Sequence, residues 1–211
     1  MKTMRIGANR LFWMIAILAV AAAIGVVSAQ TSGRTGSSPA GVSNNWHGLD
    51  VQAPNAPLKF PITRSSADWK KLLTPEQYYI LREAGTEPAF SGSLLNEHRD
   101  GVFYSAATGE PLFRSSAKFE SGTGWPSFYE PIRQSAVVLR WDNSYGMTRV
   151  EVIDSASGSH LGHLFDDGPA PTGLRYCMDS DALLFVPKGG TPPPVVAHYL
   201  ADHPDSAVSN R

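Results

Sequence analysis

Apolar and polar positions change pattern several times along the chain. Lys2, Arg5 and Arg10 precede an uncharged, mostly apolar run from Leu11 to Val27 that no polar face interrupts, and small residues Val27-Ser28-Ala29 follow. This order predicts an export signal at residues 1–29, cut after Ala29. The alternative is an uncleaved membrane anchor, because the run is near the short end of the roughly 17–25 residues that span a bilayer. Residues 30–58 are largely Ser, Gly, Asn and Ala with little to bury, and they predict a flexible linker.

The packed domain is expected over 59–188. A helix should begin at Thr74, a capping residue followed by Pro75 at the first helical position. Leu73, Tyr78, Ile80 and Leu81 would give it an apolar face, and Gly85 would end it. After Gly101 the pattern changes to short strands separated by Gly, Pro, Asn and Asp. Val137 to Trp141 and Thr148 to Ile153 predict a hairpin around Asp142-Asn143-Ser144-Tyr145-Gly146, with Arg149 and Glu151 alternating against Val150 and Val152. Leu174 to Cys177 and Leu183 to Val186 predict two more strands. The fold class is therefore mainly β, a twisted antiparallel sheet or partly closed barrel with a short helical region at its start. Residues 189–211, with Thr191-Pro192-Pro193-Pro194, predict a Pro-rich tail outside the core, with His198 and His203 in solvent.

Charge and cysteine content narrow the function. Residues 1–29 hold three Lys/Arg and no Asp/Glu, so the remainder carries 15 basic against 19 acidic residues. A net of −4 offers no electrostatic footprint for nucleic acid. The one cysteine, Cys177, excludes an internal disulfide and a cysteine-built zinc site. Its thiol is either a small buried hydrophobe or a reactive group.

Three segments favour the reactive reading. Ser121-Gly122-Thr123-Gly124-Trp125-Pro126-Ser127-Phe128 sets a large indole in an irregular backbone, either in the core or as a pocket wall. Ser159-His160-Leu161-Gly162-His163-Leu164-Phe165-Asp166-Asp167-Gly168-Pro169 carries two histidines three apart. That spacing invites a metal, but the glycines argue against a helix presenting both to one ion. In Leu174-Arg175-Tyr176-Cys177-Met178-Asp179, a strand would place Arg175, Cys177 and Asp179 on one face. Cationic Arg175 would then favour the thiolate.

In this order and spacing, the three segments resemble the B family of peptide methionine sulfoxide reductases. Gly85-Thr86-Glu87-Pro88-Ala89-Phe90-Ser91-Gly92, Gly109-Glu110-Pro111-Leu112-Phe113 and Lys118-Phe119-Glu120 fit the same family, so the resemblance spans about Trp69 to Val186. It implies a mainly β pseudo-barrel and reduction of the R epimer of methionine sulfoxide, the chemistry that restores oxidised Met. It also implies roles: Cys177 as nucleophile, Trp125 as the wall receiving the methyl group, and His163 as the residue that orients and protonates the sulfoxide oxygen. His160, Asp167 and Arg175 would be its polar partners, and Phe165 and Asp179 would line the substrate pocket. No cofactor is implied. The substrate would be an oxidised protein or peptide, the reductant a thioredoxin-like protein or small thiol, and the protein a monomer. A non-catalytic binding module on the same fold is the alternative.

The chain departs from this resemblance in three places. Many relatives bind zinc through two Cys-x-x-Cys pairs, and the corresponding residues here are Ser105, Thr108, Asp154 and Ser157, a poor zinc set, so no metal is expected. Many relatives have a resolving cysteine where this chain has Thr123. They usually have Asn where this chain has Asp179, and a carboxylate beside Cys177 would oppose the thiolate unless Arg175 offsets it or Asp179 stays protonated. Scarcity of thiols suits the oxidising periplasmic or extracellular compartment that the first 29 residues predict.

Overall fold

The structure, a computed structural model, describes residues 45–207; the predicted signal or anchor, most of the predicted linker and the last four residues lie outside this range. Among the described residues no helix is long and apolar enough to cross a membrane.

Two strands open the described chain, β1 (Asn45–Trp46) and β2 (Leu49–Gln52), followed by helices α1 (Ser66–Leu72) and α2 (Pro75–Glu83). Thr74 caps α2 as its sequence predicts. The Thr74 hydroxyl accepts from the Gln77 N–H, and the Gln77 side chain accepts from the Thr74 N–H, which satisfies two backbone donors that the first turn leaves free. Ile80 and Leu81 are buried along the predicted face. The left-handed residue at its end is Ala84 (φ 52°), not Gly85, whose N–H donates to the Tyr79 carbonyl.

The strands that follow are β3 (Gly101–Ser105), β4 (Pro111–Arg114), β5 (Lys118–Phe119), β6 (Ser127–Phe128), β7 (Val137–Asp142), β8 (Arg149–Asp154), β9 (His160–Phe165), β10 (Arg175–Met178) and β11 (Leu183–Pro187). They form an eight-stranded sheet in the order β1-β2-β7-β8-β9-β10-β6-β5 and a three-stranded sheet β11-β3-β4, neither closed into a barrel. The predicted hairpin is β7–β8, paired from Val137 with Asp154 to Asp142 with Arg149. The core between the elements is aromatic. Phe113 stacks on Phe128 with ring centroids 4.4 Å apart, Phe103 meets Phe128 edge-on at 4.9 Å, and Tyr176 approaches Phe113 at 5.8 Å.

Two expectations are corrected. Residues 45–52, assigned to the linker, pair with the sheet: β2 runs parallel to β7, with Val51 opposite Leu139 and Gln52 opposite Arg140. Val51 is fully buried, and Trp46 and Leu49 pack against the same core, which anchors the strand on the sheet edge. The tail also contributes structure. Pro194 starts a third helix, α3 (Pro194–Asp202), whose Val196 is buried with Val102, Tyr104 and Val186. His198 is largely in solvent as predicted, whereas the exposed His203 stacks on Tyr199 at 4.2 Å. The triple proline thus leads into a helix, because Pro fits its first turn.

The helix α3 lies against the turn between β3 and β4: a Cβ on Gly109 (φ 81°) would sit 2.4 Å from the Val195 carbonyl oxygen. Here the four residues at the zinc-binding positions of relatives come together. Asp154, fully buried, accepts hydrogen bonds from Ser105 (2.5 Å), Thr108 (3.0 Å) and Ser157 (3.2 Å). Three hydroxyls that spend their protons on one carboxylate are not a zinc donor set. Hydrogen bonds tie the two turns together instead. Glu110 extends the cluster, receiving Arg133 (2.8 Å), the Ser155 hydroxyl and the Ala156 N–H (3.2 Å). Burial, and then the charge of Asp154, push the Glu110 carboxyl up to about 7.

A folded-state value above the unfolded one means that Glu110 stabilises the fold fully at pH 4 and progressively less as pH rises through 7. The melting temperature should fall by about 2–6 °C between pH 5 and pH 8, followed by circular dichroism. Glu110→Gln should melt lower at pH 5 and show a shallower decline. Separately, Val196→Ala should destabilise by about 1–3 kcal/mol in urea unfolding, because it leaves a cavity under α3.

Candidate active site

Cys177 sits on β10 between β9 and β6, its Cα opposite His163 on one side and Ser127 on the other. Tyr176 and Met178 alternate into the core and fix this strand, which leaves Cys177 partly exposed on the opposite face. It lines a pocket of about 120 Å³ with Thr86, Trp125, Arg149, Gly162, His163, Phe165 and Asp179. This volume suits the end of one side chain. Trp125 is held by its indole N–H, which donates to the Glu87 carbonyl (3.1 Å).

Residues three apart on a regular strand point to opposite faces, yet both histidines point the same way. The reason is a shift in register between β8 and β9: Val152 pairs with Gly162 and Ile153 with His160, so that Leu161 is skipped. This irregularity turns His160 onto the face of His163, with ring centroids 5.3 Å apart. Gly162 (φ 150°) is required beside it, because a Cβ there would lie 2.1 Å from the Cys177 carbonyl oxygen.

Each histidine is oriented by a carboxylate that is held in turn by an arginine. His163 Nε2 shares a proton with Asp142 (2.9 Å), which also receives Arg149 (2.6 Å). His160 Nδ1 meets Glu151 (2.8 Å), whose other oxygen takes two hydrogen bonds from Arg140. His160 Nε2 is buried without a protein partner. Burial pushes His163 below the usual imidazole range against the pull of Asp142. Burial would raise Asp142, but hydrogen bonds from Ser144 and His163 and the charge of Arg149 hold it below the usual carboxylate range. Near neutral pH His163 is therefore an uncharged ring fixed by an anion.

Arg175 and Asp167 form a two-pronged ion pair (2.7 and 2.8 Å), and the guanidinium lies 4.3 Å from the Phe165 ring centre. These two residues do not line the Cys177 pocket. They border a neighbouring groove with Ser121 and Thr123, and both Asp167 oxygens are taken by Arg175. Arg175 favours the Cys177 thiolate through its charge, as the strand pattern predicts, but burial outweighs it. Desolvation pushes the Cys177 thiol up, with Asp179 adding to it and Arg175 and the Thr123 hydroxyl opposing. The free protein thus holds a neutral thiol.

Asp179 is almost fully buried, and one of its oxygens accepts the Glu87 N–H (2.9 Å). Burial pushes its carboxyl up to about 7. Below that pH it is a neutral acid with a hydrogen to donate, which is what an amide supplies in the same place. Of the eight residues singled out from sequence, the structure gathers Cys177, His163, Trp125, Phe165 and Asp179 in one pocket. It sets His160 behind His163 and puts Arg175 and Asp167 to the side. Sequence reasoning missed Asp142, Glu151 and Arg140, the carboxylates that orient the histidines and a guanidinium that holds one of them. Their signal is the alternation of Arg149 and Glu151 against Val150 and Val152 along the β7–β8 hairpin.

Comparison with known proteins identifies this arrangement. The SelR domain family matches residues 73–187, which take in every residue of the pocket. The peptide methionine sulfoxide reductase MsrB of Methanosarcina barkeri is 56% identical over 59% of this chain and 87% of its own. That of Thiobacillus denitrificans is 56% identical over 59% of this chain and 95% of its own, and that of Leptospira interrogans 52% over 61% and 98%. With more than half of its length matched by the SelR domain and relatives aligned over nearly their whole length, the chain belongs to the MsrB family of peptide methionine sulfoxide reductases, oxidoreductases that return methionine sulfoxide to methionine.

Proposed function

We propose that the protein reduces the R epimer of methionine sulfoxide by direct attack of Cys177 on the sulfoxide sulfur, passing through a sulfenic acid that an external thiol returns to the resting state. One observation carries this reading: the only sulfur of the chain that is a thiol faces a small pocket walled by Trp125 and flanked by an oriented His163. The methyl group packs on the indole, which keeps water away and aligns the reacting atoms.

The proton balance follows from the site. Cys177 begins as a neutral thiol and His163 as a neutral ring, so the thiol proton passes through the imidazole to the sulfoxide oxygen as sulfur attacks sulfur. The attack forms a transient S–S bond; as the protonated oxygen passes to Cys177, the S–O bond of the substrate and the S–S bond break, an S–O bond to Cys177 forms, and methionine leaves with its sulfur reduced by two electrons. A first external thiol attacks Cys177 sulfenic acid, releasing water and leaving a mixed disulfide. A second thiol attacks that bond, freeing the Cys177 thiol and an external disulfide. Thr123 cannot take the first of these roles, so the reductant must come from outside, as a thioredoxin-like protein or a small thiol. Protonated Asp179 supplies the second hydrogen bond to the substrate. The basic start and apolar run of residues 1–29 support export to an oxidising compartment.

Cys177→Ser should abolish reduction of the R epimer with dithiothreitol as reductant, while circular dichroism shows the fold intact; residual turnover near the wild-type rate would remove Cys177 from the mechanism. The pH profile tests Asp179. Its carboxyl is protonated below about 7 and charged above, so kcat/KM should fall on the alkaline side in the wild type. Asp179→Asn should keep the acidic limb and lose the alkaline fall.

A further inference from the structure

A line of hydroxyls runs up to the reactive sulfur beside the groove that Ser121 and Thr123 border. Ser127 is fully buried on β6 and held opposite Cys177 by the β6–β10 register. Its oxygen lies 2.8 Å from Ser121 Oγ and 3.1 Å from the Trp125 carbonyl oxygen, so its one hydrogen is shared between the two. Ser121 Oγ lies 2.9 Å from Thr123 Oγ1, and Thr123 Oγ1 lies 3.9 Å from Cys177 Sγ.

The direction of these bonds can be deduced. A hydroxyl has two acceptor sites and one hydrogen, whereas a thiolate can only accept. Once Cys177 ionises, the Thr123 hydrogen therefore turns to the sulfur, and the Ser121–Thr123 contact is carried by the Ser121 hydrogen. Ser121 Oγ then accepts the Thr123 N–H (3.4 Å) and the Ser127 hydroxyl. The chain is Ser127 to Ser121 to Thr123 to sulfur, and each bond polarises the next in the same sense.

We infer that Ser127, Ser121 and Thr123 form a directed hydroxyl relay whose last hydrogen bond stabilises negative charge on Cys177, making Thr123 a positioning residue for the nucleophile. The inference rests on Cys177 being the reactive sulfur. It gives the position at which many relatives carry a resolving cysteine a different task, which is to donate a hydrogen bond to the sulfur without bonding to it covalently. The same donor faces the sulfur after oxygen transfer, when a sulfenate awaits the external thiol. A hydrogen bond to a charged acceptor is about twice as strong as a neutral one, so the relay tightens when charge appears. The burial that keeps the resting thiol neutral is offset at the moment of ionisation by a donor already in place.

The test is the titration of Cys177 itself, which needs no sulfoxide and so stands apart from the assay of Cys177→Ser. Cys177 is the only thiol of the chain, so its alkylation by iodoacetamide is read directly by mass spectrometry across pH 6–10. Thr123→Val keeps the shape and removes the hydroxyl. It is expected to move the midpoint of alkylation up by about one pH unit and slow the reaction about tenfold at pH 7.5. Thr123→Ser should restore the wild-type midpoint, and Ser121→Ala, which removes the donor to Thr123 and leaves the groups that face the sulfur in place, should shift it in the same direction by a smaller amount. A midpoint in Thr123→Val equal to wild type overturns the inference. Should Thr123→Val fail to fold, Thr123→Ser and Ser121→Ala decide. A wild-type midpoint in the first with a raised one in the second upholds the relay, and any other pair of results removes it.

Discussion

The register of three neighbouring strands governs the chemistry. Cys177 on β10 faces His163 on β9, and Glu151 on β8 faces His163 from the other side. A slip of one residue would send the thiol into the core and the imidazole into Tyr176 or Met178 space, because side chains alternate at every step along a strand. The skipped residue, Leu161, and the bare backbone of Gly162 set that register. Leu161 is fully buried, and Gly162 lets the carbonyl of Cys177 approach closely. Packing in the core thus determines which groups reach the pocket.

Two classes of polar burial are then handled differently. At the pocket, carboxylates are charged and paired: Asp142 with His163 and Arg149, Glu151 with His160 and Arg140. Burial pushes the Asp179 carboxyl up to about 7, against the hydrogen bond from the Glu87 N–H, so that below this pH it is neutral. In the distant cluster Asp154 is held by three hydroxyls, and Glu110 carries a raised carboxyl under the cover of α3. A carboxylate is costly inside a protein unless it is paired or neutralised, and both solutions occur here within one sheet. The cluster joins the turns around Ser105–Thr108 and Asp154–Ser157 by hydrogen bonds.

Much of this was legible in the residues. Thr74-Pro75 marked the start of α2, and alternation around Asp142–Gly146 marked the β7–β8 hairpin, since both signals are local. The motif resemblance located Cys177, Trp125 and His163 because the chemistry constrains residue type at each position. Three features were hidden. The strand at Leu49–Gln52 depends on a partner almost 90 residues away, and a polar composition gives no hint of it. The helix after Pro194 looked like an extension because only two of its residues, Val196 and Tyr199, are buried. The upward push on Cys177 comes from burial, which neither Arg175 nor the strand pattern reveals. The environment of a thiol is a property of the whole fold.

The parallel pairing of β2 with β7 has one more consequence. Arg140, which supports the His160 carboxylate partner, sits where β2 ends, opposite Gln52. The strand that flanks it lies upstream of the segment that defines the family, which begins at residue 73. A version trimmed to the family boundaries would leave β7 with an open row of amide and carbonyl groups, a template for joining another chain edge to edge. The borders of a shared domain and the borders of a self-sufficient folding unit therefore differ in this protein, and the difference falls beside the groups that position its histidines.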